Sequence, residues 1–289
     1  MRIWHVLIVG GLLLSVAACA GGEESRARAA GGLGAVSGEP RHETRRPSPS
    51  PPPSPPPPRD IDCDQVKCVS LTFDDGPGEH TGRLLDTLKA AGVRATFFML
   101  GEMVREHPDI ARRMVLEGHE VANHTWSHQN LTGLSAAGVR SQIERTQKAV
   151  KDATGVEPTL MRPPYGATDE HVGRAVGMPQ ILWSVDTLDW RHRSLARNTK
   201  VGVNEPVNGD IVLYHDIHEP TVDSIPKVVE GLKERGFTLV TVTEMFQGEK
   251  LEPGVTYTGR ADEAAQLAGD PPPSGSPAGP PEAITTESR

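Results

Sequence analysis

Two adjacent carboxylates, Asp74 and Asp75, stand where a short apolar run meets a Gly76-Pro77 turn. Side chains alternate along a strand, so both acids can share one side only where the backbone has begun to turn, as the glycine and proline indicate. Neighbouring carboxylates with different partners can have their pKa values moved apart, so that one binds a metal while the other stays free as a base. Taken alone, the tetrapeptide favours a solvated turn, and the case for chemistry depends on motifs further along the chain.

The first of these motifs is a pair of histidines, His124 and His128, after the third predicted strand. Their i, i+4 spacing predicts both imidazoles on one side of a single helical turn, which suits a divalent cation. Surface helices produce this spacing by chance, so the pair gains meaning from Asp75 at the end of the first strand. We interpret these three residues as ligands of a catalytic ion with open positions for water and substrate.

The segment 162–166, Arg-Pro-Pro-Tyr-Gly, follows the fourth predicted strand. Its two prolines fix the backbone, so the Tyr165 N–H would point in a set direction, and Arg162 can pair with a carboxylate in the same cleft. Seen alone, the segment would favour a rigid connector with a surface arginine.

Carboxylates, indoles and an imidazole follow the last predicted strands. Asp186 and Asp189 are equally good partners for an arginine or a histidine, and the sequence does not choose between them. Trp190 could wall a pocket or be a core residue, and Trp183 is better explained as a core residue. His215 is a candidate acid at the end of the sixth strand.

Strand and helix signals alternate between residues 61 and 247. Apolar runs predict strands at 67–73, 94–100, 120–122, 159–161, 180–185, 210–214 and 237–242. Helix-period stretches lie between them, and four of these close on a glycine that can end a helix: Gly92, Gly118, Gly155 and Gly236. Repeated units of this kind predict an α/β fold with a parallel sheet, either a barrel or an open doubly wound sheet. Polar residues gather after strands one, three, four, five and six, and no glycine-rich phosphate loop follows the first strand, so we favour the barrel.

Together these residues provide what hydrolysis of an amide or ester needs. The set contains a base, an ion that can hold and acidify a water, a backbone donor for an oxyanion and an acid. The chain has no Gly-x-Ser-x-Gly segment, which disfavours a serine hydrolase of the common α/β type. The mixed carboxylate and imidazole donors favour zinc and also accept cobalt, manganese or nickel.

Five segments resemble, in order, the five motifs of the polysaccharide deacetylases, which form carbohydrate esterase family 4 and share the NodB homology domain. They are Thr-Phe-Asp-Asp-Gly-Pro at 72–77, His-Thr-Trp-Ser-His at 124–128, Arg-Pro-Pro-Tyr-Gly at 162–166, Asp-Thr-Leu-Asp-Trp at 186–190 and Leu-Tyr-His-Asp at 213–216. The resemblance covers about 63–246, nearly all of the foldable chain, and no principal motif position departs from the pattern.

The resemblance implies a distorted (β/α) barrel of the NodB homology type that removes acetyl groups from a sugar polymer with the help of a metal. Carried over residue by residue, the motifs imply that the metal ligands are Asp75, His124 and His128, that the base is Asp74, that the oxyanion donor is the Tyr165 backbone, that the acid is His215, and that the acetyl pocket is lined by Trp190 and Leu213. Arg162 would orient Asp74, and Asp189 would steady either Arg162 or the region of His215.

The leading hypothesis for the substrate is N-deacetylation of N-acetylglucosamine or N-acetylmuramic acid units in peptidoglycan or a chitin-like glycan. The alternative is an O-acetyl esterase acting on acetylxylan or another glycan, because the same site attacks esters. A third hypothesis is a glycan-binding or metal-binding surface lipoprotein that retains only the fold, although such a protein would need neither the base nor the acid.

Composition supports one folded domain with long appendages, because proline and glycine concentrate outside one middle block of the 289 residues. The formal net charge is −8 and the sequence pI is about 5.8, with no basic stripe that could neutralise a phosphate backbone. Nucleic acid is therefore disfavoured as a partner. We expect a monomer.

The two ends of the chain are predicted to lie outside that domain. Residues 1–20 indicate a secretory signal, in which Val-Ala-Ala-Cys at 16–19 resembles a bacterial lipobox that would acylate Cys19. Ordinary signal cleavage is the alternative, and an uncleaved membrane helix is the third choice. Residues 21–60 predict a disordered, Pro/Gly-rich spacer and residues 248–289 a disordered tail. The folded domain would then face the cell wall, as a cell-membrane lipoprotein or a secreted protein.

Cys63 and Cys68 are the two thiols left once Cys19 is set aside. An oxidising compartment favours a disulfide between them. Five fully extended residue steps span roughly 16 Å, so residues 64–67 would have to fold back as a turn. The alternative is two reduced thiols, and neither is expected to bind a metal because nothing nearby completes a thiolate site.

Overall fold

The computed structural model describes residues 56–57 and 59–260. The predicted signal with Cys19, most of the predicted spacer and the chain after 260 lie outside the described residues. Within that described part, none of the helices combines the length and apolar character needed to cross a membrane.

The core of the domain is a parallel sheet. The strands are β1 Cys68–Asp74, β2 Thr96–Met99, β3 Glu120–Asn123, β4 Gln180–Ile181, β5 Val185–Asp186, β6 Asp210–His215, β7 Thr238–Leu239 and β8 Thr256–Tyr257. Five of them lie in the order β3-β2-β1-β6-β5, and β7 pairs with the start of β1. β8 lies parallel to β4. The longest strand, β1, is central and buried along its whole length.

A single residue continues the sheet from β3 to β4. Met161 bridges Asn123 on one side and Gln180 on the other, both in parallel. The predicted fourth strand at 159–161 is therefore reduced to one bridging residue. Strands β5, β6, β1, β2 and β3, then Met161 and β4, curve into a barrel that is distorted where β4 gives way to β5.

The predicted strand at 180–185 is interrupted because its carbonyl groups have another partner. The Ile181 and Leu182 carbonyls accept hydrogen bonds from the Arg162 guanidinium, each at 2.9 Å. A carbonyl turned toward a buried cation does not face the next strand, so the run becomes the two short strands β4 and β5. The break in the sheet is thus a consequence of placing a charged side chain inside the barrel.

Helices pack outside the sheet. They are α1 Thr81–Ala91, α2 Gly101–Glu106, α3 Pro108–Leu116, α4 Ala136–Thr154, α5 Glu170–Val176, α6 Asp189–His192, α7 Leu195–Asn204, α8 Glu219–Glu234 and α9 Val242–Met245. Two predicted stop signals lie at the C-caps: Gly92 ends α1 with φ 65° and Gly155 ends α4 with φ 79°. A side chain is disfavoured at such angles, so glycine is the residue expected there.

Alternation along β1 separates the two buried layers. Val69, Leu71 and Phe73 pack into the large apolar cluster beneath the helices, whereas Cys68 belongs to the smaller cluster inside the barrel. Because side chains alternate, Asp74 lies on the same side of the strand as Cys68 and faces the barrel interior at the C-terminal end of β1. The strand thus carries its apolar face outward and its first acid inward.

The folded domain begins earlier than residue 61. The Arg59 side chain donates to Glu244 at 2.9 and 2.6 Å and to the Leu239 carbonyl at 2.9 Å. Arg94 also bonds Glu244, at 3.1 Å. A buried acid held by two arginines anchors this part of the chain where the strands begin, so Arg59 belongs to the domain and not to the predicted spacer.

The domain also ends later than residue 247. Strand β8 pairs with β4, Gly259 bridges Asp210, and Arg260 forms ion pairs with Asp64 at 2.9 Å and Glu249 at 2.7 Å. The predicted tail at 248–289 is therefore wrong for residues 248–260. The composition of the whole region 248–289 suggested disorder, but Leu251 and Tyr257 pack against the smaller apolar cluster and β8 pairs with the sheet.

Cys63 and Cys68 form a disulfide, with Cα atoms 5.6 Å apart. The intervening chain folds back through hydrogen bonds from the Gln65 and Val66 N–H groups to the Asp62 carbonyl, at 3.0 and 3.1 Å. This is the turn that the short spacing requires. The bridge fastens the segment before β1 to the barrel.

Candidate active site

The polar motif residues converge where the parallel strands end. Asp74 and His215 are the last residues of the paired strands β1 and β6 and lie side by side in register. His124 directly follows β3, and Arg162 follows the Met161 bridge. Side chains from separate motifs are thereby gathered at one mouth of the barrel, as expected for a (β/α) barrel.

A candidate metal site is formed by Asp75, His124 and His128, which each offer one ligand atom within 4.8 Å of the others. Asp75 Oδ1 lies 3.5 Å from His124 Nε2 and 3.4 Å from His128 Nε2. That oxygen is buried and accepts no hydrogen bond from the described residues. An unpartnered buried carboxylate oxygen beside two imidazole nitrogens fits a divalent cation, which would balance its charge.

The protonation of His124 also fits this role. Its Nδ1 lies 2.8 Å from the Arg162 carbonyl, so Nδ1–H is the donor and Nε2 carries the lone pair that faces Asp75. Burial, reinforced by the nearby His128, lowers the pKa of His124 to about 3. A neutral imidazole is the form that binds metal.

The two histidines do not lie on a helical turn, contrary to the prediction from their spacing. Thr125 and His128 have φ of 71° and 56°, and the backbone from 124 to 130 is irregular. Gln142 on α4 holds this loop by accepting from the Trp126 and Ser127 N–H groups at 2.8 and 3.1 Å. The loop brings the imidazole centroids to 5.0 Å by backbone conformation instead of by helical periodicity.

The same kind of backbone places Asp75. Its φ of 73° turns the chain immediately after β1, so the second carboxylate comes round to the side on which Asp74 already lies. Positive φ is costly for residues with a Cβ, and here it recurs at Asp75, Thr125, His128 and Tyr165. Strained backbone therefore clusters in the loops that build the site.

Asp74 stays outside the candidate metal set and is held by Arg162. The guanidinium donates to Asp74 Oδ1 at 2.6 Å and to the Thr72 hydroxyl at 2.9 Å, is fully buried, and stacks 4.0 Å from the Phe98 ring centroid. Burial raises the pKa of Asp74, while the Arg162 charge opposes the rise. A buried carboxylate with one oxygen fixed and a raised pKa is a suitable base. The carboxylate bonded to Arg162 is Asp74, not Asp186 or Asp189.

Asp189 instead holds His215. Its Oδ1 lies 2.8 Å from His215 Nδ1, and its Oδ2 accepts from the His215 N–H at 2.8 Å and the Thr221 hydroxyl at 2.7 Å. Burial alone would lower the pKa of His215, but the Asp189 charge and hydrogen bond outweigh it and raise the pKa to about 9. The imidazolium in turn holds the pKa of Asp189 low. Asp186 accepts from the Leu188 N–H at 2.8 Å instead, so of the two acids that the sequence left open it is Asp189 that bonds His215.

Tyr165, Trp190 and Leu213 lie near these groups, and their substrate roles stay predictions. The Tyr165 ring meets His128 edge-on at 4.6 Å. The next two N–H groups donate to the Pro163 and Pro164 carbonyls, and within the described part of the chain the Tyr165 N–H has no acceptor of its own. Leu213 is buried. It comes two residues before His215 in β6, so both side chains lie on the same side of the strand. Trp190 is half-buried, and its N–H donates to Asp189 at 2.9 Å.

Sequence reasoning missed Asp216, although it lies inside a quoted motif. It is fully buried, accepts from the Thr81 hydroxyl, and has a second oxygen, Oδ1, with no partner in the described residues. Its carboxylate fills the space where a Cβ on Gly76 would lie, only 2.2 Å away. Burial raises the pKa of Asp216 to about 7. The signal available was the strand register, since Asp216 follows His215 at the end of a strand beside Asp74.

The fold and the site together define a distorted (β/α) barrel with a candidate metal-dependent hydrolytic centre at its mouth. A family model for polysaccharide deacetylases matches residues 62–179. The chain is 37% identical over 190 residues to a peptidoglycan-N-acetylglucosamine deacetylase of Bacillus cereus, covering 63% of this chain and 69% of that protein. The chain belongs to the polysaccharide deacetylase family, and both the family and the fold class predicted from the motifs are confirmed.

Other curated relatives are longer proteins. The peptidoglycan-N-acetylglucosamine deacetylase PgdA of Listeria monocytogenes is 46% identical over 197 residues, covering 68% of this chain and 42% of that protein. The peptidoglycan-N-acetylmuramic acid deacetylase PdaC of Bacillus subtilis is 38% identical over 185 residues, covering 64% of this chain and 40% of that protein. The chain thus spans less than half the length of these two relatives.

Solved structures show the same fold over the folded part of the chain. T48 deacetylase with substrate has a TM-score of 0.67 and 44% identity, covering 68% of this chain and 99% of that one. A family 4 acetyl xylan esterase from Clostridium thermocellum in complex with a cobalt ion has a TM-score of 0.64 and 32% identity, covering 67% of this chain and 98% of that one.

Proposed function

We propose that the protein is a metal-dependent hydrolase that removes N-acetyl groups from N-acetylglucosamine or N-acetylmuramic acid units of peptidoglycan or a chitin-like glycan. The observation that carries the proposal is that the candidate base and the candidate acid at the mouth of the barrel are held by different residues. Asp74 is tied to Arg162 and left free of the candidate metal set, and His215 is held by Asp189 beside it. A base and an acid with separate supports suit amide hydrolysis.

Asp75, His124 and His128 would hold the ion. A divalent cation bound there supplies Lewis acidity to a water and to the acetyl carbonyl. Zinc is our first choice, and the donor set also accepts cobalt, manganese or nickel.

Asp74 would take the proton of the attacking water. Arg162 fixes one carboxylate oxygen at 2.6 Å, and the other, Oδ2, lies 3.6 Å from His124 Nε2 and therefore faces the metal ligands. Burial raises the pKa of the carboxylate and so makes it more basic, while the arginine charge opposes its protonation. Water adds to the acetyl carbon as its proton passes to Asp74.

The Tyr165 N–H would donate a hydrogen bond to the acetyl carbonyl oxygen as negative charge develops on it. A preorganised donor of this kind is worth about 2.7 to 4 kcal/mol in the transition state. The two prolines before Tyr165 fix the direction of the backbone, and Tyr165 itself has a positive φ of 62°. Trp190 and Leu213 would line the space for the acetyl methyl group.

His215 would then protonate the leaving amine. With a pKa of about 9, its imidazole is charged at neutral pH, and with Nδ1 bonded to Asp189 its Nε2–H is the donor. The carbon–nitrogen bond breaks as this proton reaches the nitrogen. The products are acetate and a glycan unit with a free amine.

The relatives named as peptidoglycan deacetylases support an acetylated glycan as the substrate and an extracytoplasmic place of action. The predicted signal and the acylation of Cys19 would hold the protein at the outer face of the membrane, and the lipoprotein form, the secreted form and the monomeric state stay predictions. A glycan-binding or metal-binding surface protein would need neither Asp74 nor His215.

The test is acetate release from peptidoglycan fragments by the wild type and by Asp74→Asn. We expect the variant to be slower by about 10²- to 10⁴-fold, the usual contribution of general acid–base catalysis. Thermal unfolding and metal content of the two proteins serve as controls. Equal release by both would refute the proposal.

The similarity to the acetyl xylan esterase favours one alternative, O-deacetylation of acetylxylan or another glycan. Comparing acetate release from acetylxylan with release from chitin oligomers separates the two functions. Esters are intrinsically more reactive than amides. Acetylxylan turnover that exceeds chitin oligomer turnover by more than this intrinsic difference would support the esterase.

A further inference from the structure

Three consecutive basic residues follow the candidate acid's support. Arg191, His192 and Arg193 come directly after Asp189 and Trp190, and all three side chains are exposed. Asp189 is the carboxylate that holds His215. The chain therefore carries these basic groups to the edge of the site, and nothing in the mechanism above uses them.

The turn that bears them has a defined conformation. Leu188 and Arg193, at the two ends of α6, have φ of 52° and 48°. The Arg193 N–H donates to the Asp189 carbonyl at 2.9 Å, and its side-chain Nε donates to the Trp190 carbonyl at 3.2 Å. The arginine is thus folded back over the turn that holds the acid, in a conformation that is costly for a side-chain-bearing residue.

Arg193 lies within electrostatic reach of the cleft. The ring centroid of His218 is 6.1 Å from that of His215. Burial lowers the pKa of His218, and the positive charge of Arg193 lowers it further. The charge of Arg193 therefore acts on His218, a neighbour of the candidate acid.

Both arginines are available to bind an anionic group. Within the described residues, neither Arg191 nor Arg193 forms an ion pair with a carboxylate. The nearest acids in the chain, Asp189 and Asp186, accept from His215 and from the Leu188 N–H. Guanidinium groups without a carboxylate partner, on a protein of net charge −8, leave a local positive rim. Arginine is well suited to bind a carboxylate through two parallel hydrogen bonds.

We propose that Arg191 and Arg193 bind a carboxylate of the substrate and so make the protein favour an acidic glycan over a neutral one. This inference rests on the proposed function, because it names the substrate class of the same site. The lactyl carboxylate of N-acetylmuramic acid and the carboxylates of an attached peptide share this chemistry. Chitin-like chains and xylan backbones lack it.

The test compares kcat/KM on three substrates: neutral chitin oligomers, peptide-free oligomers that contain N-acetylmuramic acid, and the same oligomers bearing peptide. For the double variant Arg191→Gln/Arg193→Gln we expect the preference for acidic over neutral substrate to fall about tenfold, through KM and not kcat, as expected for two exposed ion pairs. A fall on the peptide-free oligomers identifies the lactyl group, and a fall only on the peptide-bearing ones identifies the peptide.

Arg197→Gln is the matched control, because Arg197 is another exposed arginine a few residues further on, in α7. It should leave the preference unchanged. An equal loss on neutral and acidic substrates, or an unaltered preference in the double variant, overturns the inference.

The rim can also be tested without turnover. Calorimetric binding of the acidic oligomers to Asp74→Asn, with and without the two arginine substitutions, should show weaker and less salt-dependent binding when they are present. Unchanged binding overturns the inference even if turnover is measurable. A wild-type protein that releases no acetate from any of the substrates refutes the proposed function instead, and the two failures are thereby distinguished.

Discussion

At the scale of single residues, Arg162 supports two groups with different tasks. Its guanidinium fixes Asp74 at 2.6 Å, and its backbone carbonyl accepts from His124 Nδ1 at 2.8 Å. It therefore holds the proposed base with one end and orients a metal ligand with the other. Arg162 is fully buried, and its guanidinium donates hydrogen bonds to four oxygen atoms. Lysine could not reproduce this arrangement.

Asp189→Asn should move the alkaline limb of the pH profile. Asp189 raises the pKa of His215 to about 9, above the ordinary 6.5, so the acid is present below about pH 9 and is lost as the pH rises through that value. Without the Asp189 charge and hydrogen bond, burial lowers the pKa of His215 from that value, opposed by the charges of Asp75 and Asp74. The alkaline limb of kcat/KM against pH should therefore shift to lower pH by about one unit or more.

Asp186→Asn is the control for that shift, because Asp186 bonds the Leu188 N–H and not His215. Its alkaline limb should stay within about half a unit of the wild type. A limb that does not move in Asp189→Asn would contradict the assignment of His215 as the acid.

His128→Ala should weaken binding of zinc or cobalt by more than the 10- to 100-fold typical of losing an outer partner of a metal ligand. The reason is that His128 Nε2 lies 3.4 Å from the unpartnered Asp75 oxygen and supplies one of the three candidate ligand atoms. Calorimetry and the cobalt absorption spectrum, measured on chelator-treated protein, report the affinity. His192→Ala, an exposed histidine on α6, is the control, and equal affinity in the two variants would contradict the assignment.

At the scale of elements, the turn after β1 packs against the residue that follows β6. Asp216 fills the space under Gly76 and accepts from Thr81, whose hydroxyl also receives the Gly78 N–H at 2.8 Å. The turn that carries Asp75 is thus shaped by a neighbouring strand end as well as by its own residues.

Gly76→Ala should destabilise the fold by about 1 to 3 kcal/mol, because the added Cβ would lie 2.2 to 2.6 Å from the Asp216 carboxylate. The free energy of unfolding in denaturant measures the effect. Gly133→Ala is the control, since nothing lies within 4 Å of its Cβ position, and it should change stability by less than about 0.5 kcal/mol. Equal stabilities would mean that Asp216 moves aside without cost.

The elements that follow local periodicity could be predicted from the sequence, and those that depend on distant partners could not. Apolar runs located β1, β2, β3 and β6, and helix-ending glycines located the ends of α1 and α4. The gap between β4 and β5 arises from Arg162, which is 20 residues away in the chain from Leu182. Strand β8 pairs with a segment far earlier in the chain and has almost no apolar signal of its own.

The candidate site divides in the same way. Asp75, His124 and His128 could be grouped from spacing and strand order, and the structure brings them together. Their loops could not be predicted, because positive φ at Thr125 and His128 is imposed by tertiary contacts such as those from Gln142. The choice between Asp186 and Asp189 likewise required the fold, since both acids lie in one motif.

At the scale of the whole molecule, the boundaries of the domain are set by contacts and not by composition. Ending the chain after Gln247 should lower the free energy of unfolding by more than about 1 kcal/mol, because it removes β8 and both ion pairs of Arg260. Ending it after Arg260 should leave stability within about 0.5 kcal/mol of the full chain. Denaturant unfolding of the three proteins is the measurement, and equal loss in both shortened chains would contradict the assigned boundary.

The chain enters the domain at the pole opposite to the cleft. Arg59 is clamped by Glu244 and Leu239 at the end of the barrel where the strands begin, whereas Asp74 lies roughly 20 Å away at the far end of the seven-residue β1. Tension applied through residues before Arg59 would therefore act on the bidentate ion pair between Arg59 and Glu244, and not on the strained loops of the site. A surface that held the protein from that side would leave the mouth of the cleft facing open space.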